Sequence, residues 1–452
     1  MYDDMKKMLS QFVAYQSLSS DKSKAPESRK AIEFLSRHLE NIGAKTDIIQ
    51  NESQECNPIL FGMLGEDPSK KNILFYSHYD VQPASLEDGW ETEPFVLTEK
   101  DDGYLYARGV TDDKGPIVAT YFAVKELLEE NKELPVNIRF LYEGEEESAS
   151  GGLEQTVNKH ISTFGKVDGI VVMDGAWFTD ERPSLEYGLR GIAYMGIEIS
   201  GPKQDKHSGL VGGGVREPMS DLIMLFSRLI DADNKVLVDG FYDSVRPIDD
   251  TEQELYDNLE FSFTELLNSL GIDNHIGTDS KEMLMNIWRN PTLTIHGIQG
   301  AFSEPGMKTV IPSTVIGKVS MRLVPNQNTE KIIELFTEYV LKEFEKLGSP
   351  NTIRVLSLGE GDWWLGDVTN SLFKAGTAAI QEYWHTAPNF ARSGGSIPII
   401  PFLEKVFEAP AICVGVGQAS DGAHSQDERL RIKNLVGGKE VIKLMLKNLS
   451  PL

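Results

Sequence analysis

Cysteine is nearly absent from this chain: Cys56 and Cys413 are the two among 452 residues, and neither sits in a C-x-x-C spacing. That excludes a disulfide framework and a thiolate metal site, and it fits a reducing compartment. Basic charge is also short. Lys and Arg total 44 against 69 Asp and Glu, a net charge of −25, so nucleic acid and anionic membrane surfaces are disfavoured as partners. No apolar run approaches the ~20 residues of a membrane-spanning helix. The opening M-Y-D-D-M-K-K lacks a charged-then-apolar signal, so a cytoplasmic protein is expected. Internal repeats and low-complexity tracts are missing too.

What is present is an ordinary globular composition, 40% hydrophobic and 25% charged, in a chain too long for one core. Apolar positions Met5, Met8, Leu9, Phe12 and Val13 share a helical face, as do Ile32, Leu35, Leu39 and Ile42 before Gly43. Strands are expected at 59–64, 72–77, 136–142 and 169–173, with a helix after Pro116. Apolar strands alternating with helices predict a mainly parallel α/β sheet, whose ligands sit beyond the strands' carboxyl ends. From Arg190 the pattern changes to strand (190–202), helix (through Ile230), a long polar stretch, strands (292–298 and 314–324), helix (through Leu347) and strand (353–357). That is the order of a ferredoxin-like α+β unit. The α/β pattern then resumes, with a strand at 411–415 and a last helix up to Leu449. The expected organisation is a catalytic domain at 1–189 and 366–452 with a lid or dimerisation domain inserted at 190–365.

The chemistry gathers where expected strands stop. S-H-Y-D-V-Q-P at 77–83 carries His78 and Asp80 two apart, so Asp80 can orient an imidazole that binds metal. In T-D-D-K-G-P at 111–116, Asp112 and Asp113 either cap the following helix or bind metal. A glutamate cluster of Glu143, Glu145, Glu146 and Glu147 follows the 136–142 strand, and the adjacent Glu146 and Glu147 can divide ligation from proton transfer. Asp174 ends V-V-M-D, and His424 lies in the glycine-punctuated S-D-G-A-H-S-Q. Each signal alone is weak, but four strands of one sheet delivering acids or histidine to one edge point to a metal hydrolase.

Elsewhere the alternatives stay open. His207 in K-H-S-G-L-V-G-G-G is either an idle loop histidine or a functional one. Arg322 is either solvated or a clamp for a substrate carboxylate. Arg392 with Gly394, Gly395 and Ser396 resembles an anion nest. Trp363 and Trp364 read as packing, and His38 as a surface residue.

Together S-H-Y-D-V-Q-P, R-G-V-T-D-D-K-G-P, E-G-E-E-E-S-A-S, H-S-G-L-V-G-G, H-G-I-Q-G-A-F, K-T-V-I-P, R-S-G-G-S-I-P and D-G-A-H-S-Q give a family likeness. The chain resembles the di-metal metallopeptidases (family-twenty metallopeptidases) that include carnosinase-like cytosolic non-specific dipeptidases, aminoacylases and carboxypeptidase G. The resemblance implies one metal on His78, Asp112 and Asp174 and a second on Asp112, Glu147 and His424, with Asp112 bridging. It implies Glu146 as general base, Asp80 as the residue orienting His78, and a cis peptide after Asp112. His207 and Thr309 resemble lid residues that reach a partner subunit's site in dimeric members, with His207 donating to the oxyanion. Arg322 and Ser396 match positions touching the substrate's carboxyl end.

Two divalent cations per subunit are thus expected, zinc or manganese with cobalt also possible, since nitrogen and oxygen ligands do not choose among them. The expected partners are a small peptide or acyl-amino-acid substrate and a second copy of the chain bound through the lid. The chain departs from the pattern at Glu145 (usually methionine), Ala149 (usually glycine) and Ser393 (glutamate in the dipeptidases). The expected reaction is hydrolysis of dipeptides or short peptides. An N-acyl-amino-acid deacylase or desuccinylase on the same core remains an alternative, as does a silent metal- or ligand-binding protein.

Overall fold

The structure is a computed structural model describing residues 1–131, 133–272 and 279–450; those parts of the expected domains that fall at 132, 273–278 and 451–452 lie outside the described residues. Among these, the larger sheet has nine strands. Its order is Lys45–Ile49, Ile59–Leu64, Asn137–Glu143, Asn72–His78, Gly169–Val172, Ala411–Val414, Ser184–Leu189 and Trp364–Leu365, with Asn389–Ser393 also paired to Ser184–Leu189. Its centre is parallel, the strands at 45–49, 59–64 and 364–365 join antiparallel, and Asn389–Ser393 lies parallel to Ser184–Leu189. The central strands are buried on both faces, which is why they read as continuous apolar runs. Helices Tyr2–Val13, Lys114–Asn131, Ile432–Asn448 and Ser371–Trp384 pack side by side over this sheet.

The inserted unit is a four-stranded antiparallel sheet, Thr292–Gln299, Thr314–Leu323, Gly191–Ser200 and Thr352–Gly361. Ala193, Met195, Ile197 and Ile199 alternate into its core beneath the helices Pro218–Phe226 and Thr329–Lys346. The fold is therefore a mixed α/β domain built on a mainly parallel sheet, with an inserted ferredoxin-like α+β unit.

Several local expectations differ. The helix expected to run through Ile230 ends at Phe226; Leu229 enters the lid core from the turn beyond it, so its burial mimics one more helical period. The long polar stretch contains short helices, Asp250–Asp257, Phe263–Leu270 and Ser280–Trp288. Their scattered apolar residues Tyr256, Leu266, Leu284 and Trp288 pack with Ala391 and Phe178 of the catalytic domain. Helices of eight or nine residues show too few periods to register as a pattern. His38 is half-buried, its ring 4.1 Å from that of Phe34. Trp364 is core, and Trp363 donates from Nε1 to the Gln327 carbonyl at 2.7 Å.

Candidate metal centre

Three neighbouring parallel strands bring their carboxyl ends to one place. Asn72–His78 ends on His78, Asn137–Glu143 leads into Glu146 and Glu147, and Gly169–Val172 leads to Asp174. The tight turn after Glu143 needs Gly144, because a Cβ there would lie 2.4 Å from the Tyr79 hydroxyl. Asp112 arrives differently from expectation. The strand before it, Tyr104–Tyr106, belongs to a separate three-stranded sheet with Thr98–Glu99 and Arg429–Arg431. Asp112 then sits at the entry to the helix Lys114–Asn131, across the cis Asp112–Asp113 peptide. A buried Lys114 fastens this turn to the end of the first helix, its Nζ donating to the carbonyls of Phe12 at 3.3 Å and Tyr15 at 2.7 Å.

Asp112 stands at the middle. Its Oδ1 lies 2.9 Å from His78 Nε2, and its Oδ2 lies 2.9 Å from His424 Nε2. His424 Nε2 is also 2.9 Å from Glu147 Oε2, and His78 Nε2 is 3.9 Å from Asp174 Oδ1. Donor atoms of His78, Glu146 and Asp174 lie within 4.8 Å of one another, as do those of Asp112, Glu147 and His424.

Asp80 performs two tasks. Its carbonyl oxygen lies 3.1 Å and its Oδ1 3.4 Å from His78 Nδ1. A carbonyl only accepts, so the proton belongs on Nδ1 and the Nε2 lone pair faces the cluster. The Asp80 carboxylate also receives the backbone N–H groups of Glu146 at 3.2 Å and Glu147 at 3.1 Å, locking base and ligand candidates to the histidine they serve. Gln82 steadies Glu147, donating to Oε2 at 2.7 Å.

The electrostatics fit cations. Burial, then the charge of Asp174, pushes the Glu146 carboxyl well up, and burial raises Asp174 to about 7. Hydrogen bonds with Asp112 and Glu147 raise His424 to about 10. Burial opposes a charged Asp112, yet hydrogen bonds from His424 and His78 hold it below the usual carboxylate range. Four carboxylates and two imidazoles converge without sulfur, and among the described residues no lysine or arginine pairs with any of the four. That donor set suits two hard-to-borderline divalent ions.

Residues named from sequence fall in four places. His78, Asp80, Asp112, Glu146, Glu147, Asp174 and His424 are together. His207 and Thr309 sit on a two-stranded ribbon of the lid, Lys206–His207 with Val310–Ile311, His207 Nε2 lying 3.3 Å from Thr309 Oγ1. Both are exposed, and His207 Nδ1 accepts from the Gly209 N–H. Arg322 NH1 donates to Ser396 Oγ at 2.7 Å, and the Gly395 N–H donates to Ser393 Oγ at 3.1 Å. Arg392 stands apart from that pair: it is 2% exposed, and its NH1 donates to Glu252 at 2.6 Å. Glu145 turns away from the cluster to accept the Asn57 N–H at 2.7 Å.

One important residue escaped the sequence reading. Glu428, fully buried, accepts from Arg108 NH1 at 2.8 Å and from the N–H groups of Gly109 at 2.9 Å, Thr111 at 2.9 Å and Asp112 at 3.2 Å. The only available signal was its place four residues beyond His424.

Residues 74–448 match the family model described as Peptidase family M20/M25/M40. The chain belongs to this family. It is 41% identical to a Cys-Gly metallodipeptidase, DUG1, of Candida albicans over 95% of this chain and 91% of that one. It is 38% identical to the human Beta-Ala-His dipeptidase over 89% and 79%. Among solved structures it superposes on the di-peptidase Dug1p of Saccharomyces cerevisiae with a TM-score of 0.91, at 36% identity, covering 99% of this chain and 96% of that one. Human carnosine dipeptidase 1 gives 0.91 at 35%, covering 100% and 97%. As an M20 peptidase the chain is a metallodipeptidase, and the two residue groups His78–Glu146–Asp174 and Asp112–Glu147–His424 are candidates to hold metal.

Proposed function

We propose that this M20 peptidase hydrolyses free dipeptides with two cations, one of which His78, Asp112 and Asp174 would hold and the other Asp112, Glu147 and His424. The observation that carries this is the pair of 2.9 Å approaches of Asp112 to His78 and to His424, one through each carboxylate oxygen. Zinc, manganese or cobalt bound there supplies Lewis-acid polarisation and lowers the pKa of water towards ~7. Glu146 takes the water's proton and returns it to the leaving amine; its raised pKa suits a group that must both accept and give one at neutral pH. Asp80 holds the His78 imidazole in the ligating tautomer.

Substrates of the kind named for the relatives, Cys-Gly or β-Ala-His dipeptides, end in a free carboxylate. Arg322, whose NH1 donates to Ser396 Oγ, receives it in this reading. Gly395 belongs to the same loop, whereas the Arg392 guanidinium is engaged by Glu252. His207 and Thr309, exposed and paired with each other, complete the site of a second copy joined through the lid, with His207 donating to the oxyanion. Two free cysteines, Cys56 and Cys413, support a cytoplasmic setting.

The test is a dipeptide screen on protein reconstituted with zinc or manganese, beside N-acetyl and N-succinyl amino acids. Turnover of unmodified dipeptides that falls about 10²–10⁴-fold in Glu146→Gln, at unchanged metal content, is expected. Hydrolysis of the acylated amino acids alone would move the assignment to a deacylase. Bound metal without any hydrolysis would leave a binding protein.

A further inference from the structure

Arg190 is the single residue between two domains. The strand Ser184–Leu189 belongs to the catalytic sheet and Gly191–Ser200 to the lid sheet. The return crossing runs alongside: Ile192 pairs with Gly361 and Leu189 pairs with Trp364. The two crossings touch backbone to backbone, since a Cβ on Gly191 would lie 2.8 Å from the Gly361 carbonyl oxygen.

At this junction Arg190 grips the 394–396 loop three times. Its backbone N–H donates to the Gly395 carbonyl at 3.0 Å, its Nε donates to the Gly394 carbonyl at 3.0 Å, and its own carbonyl accepts the Ser396 hydroxyl at 2.5 Å. The same Ser396 oxygen receives Arg322 NH1 at 2.7 Å. Its proton is thereby committed to Arg190, leaving a lone pair aimed at Arg322. Arg190 NH1 reaches into the lid, within 3.4 Å of the carbonyls of Asn286 and Asn290 and the Thr292 hydroxyl.

All of these acceptors are neutral. Arg190 is 9% exposed, and burial, then the positive charges of Arg322 and Arg392, draws it down to about 10. A buried guanidinium bonded, among the described residues, only to neutral acceptors in a chain of net charge −25 calls for a reason. Its bond to the Gly394 carbonyl, in the loop that carries Arg322's partner, together with its reach to the Asn286 and Asn290 carbonyls, provides one.

We infer that Arg190 is the positioning residue of the substrate-carboxylate clamp, holding Ser396 and through it Arg322 at the junction between catalytic domain and lid. The inference rests on the dipeptidase reading and on Arg322 as the clamp. It makes recognition of the substrate's carboxyl end depend on the geometry of the domain crossing, since the one residue that follows the strand Ser184–Leu189 ties the loop by its main chain and Nε and reaches the lid by its NH1.

The test compares a dipeptide with its C-terminal amide, which lacks the charge, in Arg190→Met, Arg190→Lys and, as control, Arg322→Met. Arg190→Met is expected to raise KM for the free acid about tenfold while the amide moves less than about twofold, with kcat and metal content near wild type. Arg190→Lys should recover part of the loss, because it keeps the charge without the fork. Gly394→Ala serves if Arg190→Met does not fold: its Cβ would lie 3.1 Å from Arg190 NH2 and 2.8 Å from the Ile287 carbonyl, and it should show the same acid-selective loss. Equal losses for acid and amide, or none for either, would overturn the inference. Calorimetric titration of the same two ligands into metal-loaded wild type and variants reads the acid-to-amide ratio without turnover. If wild type cleaves no dipeptide, the functional reading fails while this ratio still decides the role of Arg190.

Discussion

Glu428 and Asp112 are joined across 316 residues of sequence: the Asp112 backbone N–H donates to Glu428 Oε1 at 3.2 Å. Four residues earlier, His424 Nε2 lies 2.9 Å from the Asp112 carboxylate. One loop therefore holds Asp112 by its main chain and by its side chain. The Glu428 carboxylate also neutralises Arg108, whose NH1 donates to it at 2.8 Å.

Replacing Glu428 with Gln keeps an acceptor but removes the charge facing Arg108. Metal affinity is expected to fall about 10–100-fold, as for other groups that orient ligands from behind. Chelator competition measures it; wild-type affinity with intact fold would show that Asp112 needs no such support. Glu428→Ala should also cost about 3–5 kcal/mol of stability by stranding the buried Arg108.

Acidity should oppose metal loading. Without metal, His424 is raised to about 10 and His78 also lies above its ordinary value. The sign follows directly. A raised histidine stabilises the metal-free fold fully below its unfolded pKa of about 6.5, and that stability is lost as pH rises through the folded value. Ligation needs the neutral imidazole, so apparent affinity should climb as pH rises towards about 10, the raised value of His424, with release of about two protons per loaded site at neutral pH. Calorimetry in buffers of different ionisation enthalpy counts them. A pH-independent affinity would remove one or both histidines from the ligand set.

The proposed sharing of the site between copies has a mixing test. Glu146→Gln and His207→Ala proteins should each lose about 10²-fold or more in turnover. Heterodimers formed between them contain one intact composite site and should regain up to about half of wild-type activity. Heterodimers verified by mass that remain inactive would place His207 outside the partner's chemistry.

Ala149 sits at φ 67, a left-handed conformation that costs a side-chain-bearing residue about 1–2 kcal/mol. Glycine there loses some of this gain to its freer unfolded state. Ala149→Gly is therefore expected to stabilise the protein by about 1 kcal/mol, read by chemical denaturation, with turnover unchanged. Destabilisation would mean that the Ala149 methyl makes packing contacts worth more than the strain.

By itself the sequence determined the layered architecture and the kinds of atoms offered at the strand ends. Buried parallel strands must be apolar on both faces, so 72–77 and 169–173 were legible, and so were His78 and Asp174 where those runs stop. The alternation of Met195, Ile197 and Ile199 marked the lid sheet for the same reason. The tertiary structure alone decided which of those ends meet, and what holds them. Asp112 comes from outside the main sheet, Asp80 locks both His78 and the Glu146–Glu147 backbone, and Glu428 and Arg190 act through main-chain hydrogen bonds. A side chain that binds distant backbone leaves no periodicity and needs no particular spacing, because its partner is any N–H or carbonyl the fold brings within reach. Such residues become visible only once the chain has closed on itself.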